Sequence, residues 1–407
     1  MERQRRSADH NWMRNINRSL ILSCLRTSPP QSRANLAART GLTRSTVSSL
    51  VDELIRANLV RETGISPSRG GRPGTLLQLN PDGGCAIGVE ITLDSIMVLL
   101  TDFVAQPRWL RQIEVKSTDP DVVISQAECL IDEALTFNAR THGMKPLGIG
   151  LGIAGLVNPE EGVLRLSSNL GWRDIPFRTR WQERFDLPVK VGNEASIAAL
   201  GESYFGAAVG YTNFVYLVIS TTALGGGIFV NGRLYQGVDG YAGEAGHMVI
   251  DPAGPPCTCG KRGCWETVLR AACALEPIRK RLKQGQASSV LDRVQGDSSA
   301  ITFQTVIDAA AQGDALVASA VNRVTNILAT GIGNLVNLFN PQLIVLGGPL
   351  GLAMGPFLPA IETAVAAQAV VPAESVAEIR LSQIRSNACA MGAVALVLDE
   401  ILREPSW

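Results

Sequence analysis

Three cysteines and one histidine lie at short spacings in the segment G-H-M-V-I-D-P-A-G-P-P-C-T-C-G-K-R-G-C-W-E, and they constrain the fold more than any other feature of this chain. Zn²⁺ prefers a closed tetrahedral set of thiolate and imidazole ligands. The spacing therefore predicts a structural zinc site with the ligands His247, Cys257, Cys259 and Cys264. Gly260 and Gly263 stand where the backbone must turn tightly between the cysteines. Because four protein ligands leave no position for a water molecule, we expect this metal not to be a catalyst.

Two acidic residues flank this motif. Glu244 precedes His247 by three positions, and Glu266 follows Cys264 by two. An imidazole that gives one nitrogen to zinc still offers its other nitrogen to a polar partner. We therefore expect both carboxylates to face one pocket that is coupled to the metal through His247. The alternative interpretation, buried core cysteines beside an ordinary histidine, is disfavoured because three cysteines fall within eight positions.

The charge of the chain is unevenly distributed. The 407 residues carry no net charge, yet residues 1–80 contain thirteen arginines, no lysine and five acidic residues, which leaves +8 there and −8 in the remainder. A basic segment of this kind favours a polyanionic partner, whereas an acidic body repels one. The length fits two or three domains, and the 46% hydrophobic content is sufficient for well-packed cores.

The sequence gives no indication of a secretory or membrane segment. The basic start M-E-R-Q-R-R-S is followed by A-D-H-N-W and not by an apolar core. The apolar stretch 214–230 contains hydroxyl residues and a triple glycine, so it predicts two strands joined by a turn. We expect a cytoplasmic protein without a membrane span, whose remaining cysteines are reduced and form no disulfide.

Residues 10–80 have the pattern of a winged helix-turn-helix domain. An apolar stripe at Ile16, Leu20, Ile21, Cys24 and Leu25 predicts a first helix. Gly41 separates a short second helix from a longer third one that begins near Thr43. The third helix repeats apolar residues with helical spacing at Val47, Leu50, Val51 and Leu54. Its exposed start carries short hydroxyl side chains and one arginine, which suit a helix that enters the major groove of DNA. The predicted DNA-binding residues of this helix are Thr43, Arg44, Ser45, Thr46, Ser48 and Ser49.

A hairpin follows the third helix and forms the predicted wing. Its strands are expected at 59–63 and 75–80, around the loop I-S-P-S-R-G-G-R-P-G. Arg69 and Arg72 lie in this loop, and a narrow A·T-rich minor groove attracts such guanidinium groups. Contact with phosphates alone is the alternative, and the sequence only slightly favours the minor groove.

The remainder of the chain, residues 82–407, alternates strands and helices in two sets. Three strands, a helix near 122–139 and a further strand form the first set; strands from Phe214 onwards, a helix-rich stretch and a buried strand at 343–348 form the second. The pattern predicts an α/β body with two similar lobes and a ligand cleft. Lobe one is expected at about 82–195 with a C-terminal helix at about 388–403, and lobe two at about 196–387.

Several motifs of this body resemble the ROK family of bacterial sugar kinases and sugar-responsive repressors. They are the cysteine motif with its trailing glutamate, A-G-L-V-N-P-E-E-G, S-N-L-G-W, G-N-E-A, G-G-G-I and N-L-F-N-P-Q-L-I-V-L-G-G. With its N-terminal helix-turn-helix, the chain resembles the repressor branch, typified by xylose and N-acetylglucosamine repressors. The resemblance covers nearly the whole chain, and it implies an actin-like (ribonuclease H-like) sugar-kinase fold and a homodimer or homotetramer.

The resemblance also implies a set of sugar-binding residues. Amide and carboxylate groups accept and donate the several hydrogen bonds that a polyol needs. The implied residues are Asn169, Asn193, Glu194, Glu244, His247 and Glu266, of which Glu194 matches the position of the kinases' catalytic base.

The chain departs from the kinase pattern at both phosphate loops. The kinases open their first strand with D-x-G-G-T, whereas this chain has E-I-T-L-D at 90–94. Their second loop, G-T-G-I-G-G-G, is replaced by T-T-A-L-G-G-G at 221–227, so two glycines are lost. A backbone that approaches a triphosphate closely needs such glycines. The carboxylate of Asp94 would in addition repel the negative charge of ATP. Glu194 replaces an aspartate, which displaces the base by one methylene.

These observations predict a repressor of carbohydrate genes that is not an enzyme and that binds operator DNA and a sugar or sugar derivative. An ATP-dependent sugar kinase with an appended DNA-binding domain is the rival, supported by Gly225–Gly227 and by the motif at 337–348. A regulator that answers to a protein partner, with no sugar, is a third possibility.

Overall fold

The computed structural model describes residues 10–65, 74–372 and 376–403. Its contacts divide the chain into two compact units. Within the described residues, the first unit holds those up to 151, residues 176–191 and those from 393 onwards, and the second holds 152–175 and 192–392. This grouping joins the N-terminal domain to the first lobe, so the boundary expected near residue 80 stays a prediction.

The helices and strands follow each other along the chain in this order. The N-terminal part contains α1 His10–Thr27, β1 Gln31–Ser32, α2 Arg33–Thr40, α3 Arg44–Arg56, β2 Val60–Ile65 and β3 Thr75–Leu79. Next come β4 Cys85–Ile91, β5 Ser95–Asp102, β6 Pro107–Glu114, α4 Pro120–Thr141, β7 Pro146–Ile153, β8 Leu156–Asn158, β9 Val163–Ser167, β10 Trp172–Ile175, α5 Phe177–Phe185 and β11 Val189–Asn193. The rest contains α6 Glu194–Phe205, β12 Phe214–Ile219, β13 Leu224–Val230, β14 Arg233–Leu234, α7 Trp265–Ala272, α8 Glu276–Lys283, α9 Ser289–Arg293, α10 Phe303–Ala311, α11 Ala315–Phe339, β15 Leu343–Gly347, α12 Gly348–Ala353, α13 Leu358–Ala366, β16 Glu378–Leu381 and α14 Ala388–Arg403.

The N-terminal elements form the winged helix-turn-helix that the pattern predicts. Gly41 ends α2 in a left-handed conformation, and the Thr43 hydroxyl caps α3 by accepting from the Thr46 N–H. The four apolar residues that repeat along α3 are buried. Strands β2 and β3 pair antiparallel as the wing, and β1 extends this sheet beside β3. The predicted stripe of α1 is wrong at Leu20, whose side chain is 42% exposed, because Leu22 is buried instead.

An ion-pair network joins α1 to α3. The Glu53 carboxylate accepts hydrogen bonds from Arg14 and from Arg18, whose Nη2 lies 2.6 Å from Glu53 Oε2. Only 10% of the Glu53 side chain is exposed, so water screens these contacts weakly. The hydrogen bond from Arg14 and then that from Arg18 lower the pKa of Glu53 from 4.5 to about 2.

We expect the stability of the N-terminal domain to depend on the charge of Glu53. Since its pKa is lower in the folded state, its contribution is fully present above pH 4.5 and is lost as the pH falls towards about 2. Glu53→Gln should therefore lower the urea midpoint of wild-type protein clearly at pH 7 and less at pH 3, by circular dichroism. Glu62→Gln, whose partner Arg33 also contacts Asp52, is the exposed control and should change little. An equal deficit for Glu53→Gln at both pH values contradicts this account.

Each lobe contains a five-stranded sheet, and the two sheets share one topology. The first has the order β11-β7-β4-β5-β6 and the second the order β16-β15-β12-β13-β14. In both, the first three strands along the chain pair antiparallel, and the later strands add on the side of the first strand. This repetition is the ribonuclease H-like arrangement implied by the sequence motifs, and it confirms the prediction of two similar halves.

The core of the second unit lies between its large sheet and its helices. Helix α11 is the centre of this core, with residues from Leu316 to Val336 buried along one side. It is the one helix in the described part of the chain that is long and apolar enough to cross a membrane, and more than half of its apolar window is buried within the protein. A helix at the centre of a protein core has the same composition as a membrane span.

Candidate metal and ligand site

The four predicted metal ligands lie together in the second unit. Their ligand atoms all lie within 4.8 Å of one another. Cys257 Sγ is 3.6 Å from His247 Nδ1, and Cys259 Sγ is 3.6 Å from Cys264 Sγ. Tetrahedral zinc with Zn–S bonds of about 2.3 Å requires sulfur atoms separated by about 3.8 Å, so the arrangement fits this ion.

The cysteine loop is held in shape by short backbone contacts. The Cys257 N–H donates to the Lys261 carbonyl oxygen at 2.8 Å, and the Gly260 N–H donates back to the Cys257 carbonyl oxygen at 3.0 Å. Cys264 then begins α7. Burial raises the pKa of the Cys264 thiol to about 12, so a metal that binds its sulfur must displace a proton.

His247 presents its two ring nitrogens to different partners. Nδ1 faces Cys257 and lies 3.6 Å from Glu266 Oε1, while Nε2 lies 3.8 Å from Glu244 Oε2. When Nδ1 binds a metal, the proton must reside on Nε2, which can then donate towards Glu244 or a ligand hydroxyl. The structure therefore brings both flanking carboxylates to the histidine, as the sequence predicts.

The two carboxylates differ in exposure. The Glu244 side chain is 39% exposed, whereas that of Glu266 is 13% exposed and accepts from Cys257 Sγ at 3.2 Å. Surrounding protein atoms raise the pKa of Glu244 by desolvation, and the charge of Glu266 raises it further. Glu244 is thus the carboxylate that a diffusing ligand reaches first.

Both glycines of the cysteine motif have positive φ, as predicted from their positions, but only one is also tightly packed. Gly263 has φ +69°, and a Cβ there would lie 1.5 Å from the Asp251 carbonyl oxygen. Gly260 has φ +87° with nothing within 4 Å of its Cβ position.

Gly263→Ala should therefore destabilise the cysteine loop more than Gly260→Ala. Gly260→Ala only places an alanine in the left-handed conformation, which lowers the free energy of unfolding by about 1–2 kcal/mol. Gly263→Ala has the same effect and also forces Asp251 to move. Thermal unfolding of the two variants beside wild-type protein measures the difference. Equal shifts in Tm mean that the contact with Asp251 does not constrain the loop.

Strand β13 connects the turn that carries Glu244 and His247 with helix α6. The Gly226 N–H donates to the Gly243 carbonyl oxygen at 3.1 Å, directly before Glu244. On the other side, a Cβ at Gly227 would lie 2.5 Å from the Ala195 carbonyl oxygen, in the first turn of α6. The triple glycine thus lets the turn that carries Glu244 and His247 and the first turn of α6 pack closely against β13.

The predicted residues Asn193 and Glu194 lie at the start of α6. Asn193 caps this helix, because its side-chain oxygen accepts from the N–H groups of Ala195 and Ser196, and its amide nitrogen donates to the Gly155 carbonyl oxygen at 2.9 Å. This capping role was not foreseen, although Asn before a helical run is its usual signal. Glu194 is half-buried.

Asn169 lies on an exposed turn of the second unit, after a strand that packs closely against Gly155. A Cβ at Gly155 would lie 2.5 Å from the Leu166 carbonyl oxygen of β9, and Asn169 follows that strand on an exposed turn before β10. That Asn169, Asn193 and Glu194 form one site with Glu244, His247 and Glu266 stays a prediction.

The segments at the positions of the kinases' phosphate loops form hydrogen bonds between their own side chains and backbone groups. The Ser220 hydroxyl accepts from the N–H groups of Thr222 and Ala223, at 3.2 and 2.9 Å. In the first unit, the Thr92 hydroxyl donates to Asp94 Oδ1 at 2.8 Å and accepts from the Ser95 N–H. The backbone N–H groups of Thr222, Ala223 and Ser95 are thus already bonded to a side chain and are less available to an anion. The pattern of glycines in the sequence did not indicate this role of Ser220.

The predicted DNA-binding residues of α3 lie at one end of the helix. Thr43, Arg44, Ser45 and Ser49 are exposed, and Thr46 and Ser48 are half-buried. The Thr43 hydroxyl also lies 2.9 Å from the Ser45 hydroxyl, which orders the start of the helix. Arg69 and Arg72 lie outside the described residues.

Comparison with known proteins identifies the class of this molecule. Residues 86–400 match the ROK family, and residues 15–70 match the MarR family. A crystal structure of a ROK family transcriptional regulator, described as a homologue of the Escherichia coli Mlc protein, superposes with a TM-score of 0.82 at 27% identity and covers 96% of this chain and 97% of its own. The fold and the helix-turn-helix are those of a transcriptional regulator with a sugar-kinase-like body.

The chain belongs to the ROK family. It is 33% identical to the xylose repressor of Bacillus spizizenii over 399 residues, which is 97% of this chain and 98% of that protein. The glucokinase of Halalkalibacterium halodurans is 37% identical over 259 residues, but the match spans only 62% of this chain and 77% of the kinase. The repressors and the regulator match nearly the whole chain, so the chain is a regulator of the repressor branch.

Proposed function

We propose that this regulator binds operator DNA through the start of α3 and a sugar or sugar derivative at the residues gathered around β13, with a structural zinc ion beside the sugar. The placement of Glu244 and Glu266 on either side of His247 carries this proposal, because it joins a metal ligand to two hydrogen-bonding groups.

Zinc is the metal that suits this donor set. Three thiolates and one imidazole match closed structural zinc sites in type, number and separation. Bound zinc would hold the loop between His247 and Cys264 in one conformation and fix the orientation of the imidazole. The contacts with the sugar would then come from Glu244, Glu266 and His247 and not from the metal.

We expect one zinc ion per protomer. Elemental analysis of protein purified without chelators measures this ratio, and a value near zero contradicts the proposal. Cys257→Ala should lower both zinc content and sugar affinity, because Cys257 also contacts Glu266. Cys273→Ala, which removes a buried cysteine outside the cluster, is the control and should retain zinc.

The ligand chemistry favours a polyol. Nε2 of His247 and the two carboxylates can each pair with a hydroxyl group, and Asn169 adds an exposed amide. A sugar that offers hydroxyls at the right positions satisfies these groups, whereas one that lacks a hydroxyl leaves a polar group unpaired. Since several relatives are named xylose repressors, xylose is the first sugar to test.

We expect binding without phosphorylation. A thermal-shift screen of sugars should identify a stabilising ligand, and Glu244→Gln should weaken that complex by about 1–3 kcal/mol in calorimetry, the range for losing a charge-assisted hydrogen bond. Glu276→Gln, on the exposed start of α8, is the control.

Added ATP should not change the affinity of the protein for the sugar, and the sugar should not become phosphorylated. Sugar-dependent ATP consumption at about one per second or faster revives the kinase alternative, with Glu194 as base. No shift with any sugar favours a regulator that responds to a protein partner.

The start of α3 is the proposed base-reading surface. Its exposed hydroxyl groups and Arg44 are small or flexible enough to approach base edges in a major groove. Arg69 and Arg72 of the wing loop are proposed to contact DNA as well, in the minor groove or at phosphates. Helix-turn-helix proteins bind two half-sites as dimers, which agrees with a homodimer or homotetramer acting in the cytoplasm.

Arg44→Ala should weaken binding to the operator while sugar affinity stays unchanged. An arginine that pairs with a guanine contributes about 1–3 kcal/mol of discrimination, so the loss should be larger on operator than on unrelated DNA. Fluorescence anisotropy with both duplexes measures the two losses. Equal losses on both indicate that Arg44 contacts only the backbone.

A further inference from the structure

The arginines of the N-terminal domain differ in whether they already have a partner. Arg14 and Arg18 are paired with Glu53, and Arg33 bridges Asp52 and Glu62. These guanidinium groups are committed to carboxylates of the domain itself. They therefore contribute little to the attraction of a polyanion.

Other arginines of the domain face uncharged groups, and one lies near an acidic residue of the C-terminal helix α14. The Arg56 guanidinium donates to the Asp52 carbonyl oxygen at 3.2 Å, and Arg61 lies opposite Gln78 on the wing. Arg26 is half-buried. Desolvation lowers the pKa of Arg26 and the charge of Asp399 opposes this shift, so Arg26 is not a fully exposed contact for DNA.

Arg39 and Arg44 are different. Both are exposed, and within residues 10–65 and the rest of the described chain neither makes a hydrogen bond or an ion pair. Arg39 lies in the last turn of α2 and Arg44 in the first turn of α3, so the two flank the helix-turn-helix turn at Gly41. Among the arginines of residues 10–65, these two guanidinium groups contact neither an acidic nor an uncharged partner, and both lie beside this turn.

The surface of α2 beside Arg39 allows close approach of a large partner. The exposed residues of this short helix are Ala34, Asn35, Ala38 and Arg39, and none is acidic. Small side chains let a backbone come near, and the single arginine gives that face one positive charge. The other end of α3 carries Asp52, Glu53 and Arg56, and both carboxylates are paired with arginines of the same domain.

We propose that Arg39 binds a phosphate of the DNA backbone next to the groove that α3 enters, and so sets how the helix-turn-helix is oriented on the duplex. This inference rests on the proposed DNA binding by α3. Arg44 reads bases, whereas Arg39 contributes affinity for any sequence. In helix-turn-helix proteins the helix before the recognition helix crosses the backbone, where such a contact is made.

The alternative role for Arg39 is structural. A positive charge in the last turn of a helix stabilises the helix dipole by typically 0.3–1 kcal/mol. That role predicts a change in stability, and it predicts no change in the salt dependence of DNA binding.

The test uses the full-length protein and duplexes of mixed sequence and about three helical turns, because phosphate contacts do not require the operator. DNA affinity is measured by fluorescence anisotropy over a series of KCl concentrations. For Arg39→Gln, the slope of log affinity against log salt should fall by about 0.9 per protomer that contacts DNA. Arg39→Lys should restore the slope, since lysine also neutralises a phosphate.

Arg56→Gln is the matched control, because it removes the same charge from the opposite end of α3 and should leave the slope unchanged. An unchanged slope for Arg39→Gln overturns the assignment of Arg39 while leaving DNA binding by α3 intact. A lower slope accompanied by an equal fall in Tm and no rescue by Arg39→Lys assigns Arg39 to stability and also overturns it. If the wild-type protein binds no DNA, both the assignment and the proposed function fail.

Discussion

The close approach of strand β13 to its neighbours is the constraint on which the ligand site depends. Glycines at 225–227 leave no side chain between this strand and the first turn of α6, or between it and the turn before Glu244. A Cβ at Gly226 would lie 2.9 Å from the Gly243 carbonyl oxygen. Backbone packed this tightly has little freedom, so the groups that it carries are held in fixed positions.

This packing explains why a regulator keeps glycines that a kinase needs for phosphate. The glycines on β13 are required for contact between protein segments, and Gly347 likewise lies against Tyr216, with 2.1 Å between its Cβ position and the tyrosine oxygen. Where the kinase pattern has two further glycines, this chain has Thr221 and Ala223, and Ser220 and Thr92 bond neighbouring N–H groups. A sugar-kinase fold with altered phosphate loops is therefore physically possible.

In the N-terminal domain, the partners of the arginines determine where the positive charge is exposed. The net +8 of residues 1–80 already counts its five acidic residues, and three of these, Asp52, Glu53 and Glu62, pair with arginines of the same segment. The pairs of Glu53 stabilise the packing of α1 on α3, so arginine has a structural role on α1 and an exposed position beside Gly41. The net charge does not say where the positive surface lies, and the pairing does.

The sequence alone determined the elements whose signals are local. Helical spacing identified the buried face of α3, and the Cys-Gly pattern identified four side chains that lie together as candidate metal ligands. The missing glycines identified the altered loops at 90–94 and 221–227. The tertiary structure decided which groups are already bonded. The hydrogen bond from Asn193 to Gly155, the exposure of Leu20 and the close approach of Gly263 to Asp251 depend on how separate segments pack. Periodicity and spacing report only on neighbours along the backbone, so such contacts appear only when the chain is folded.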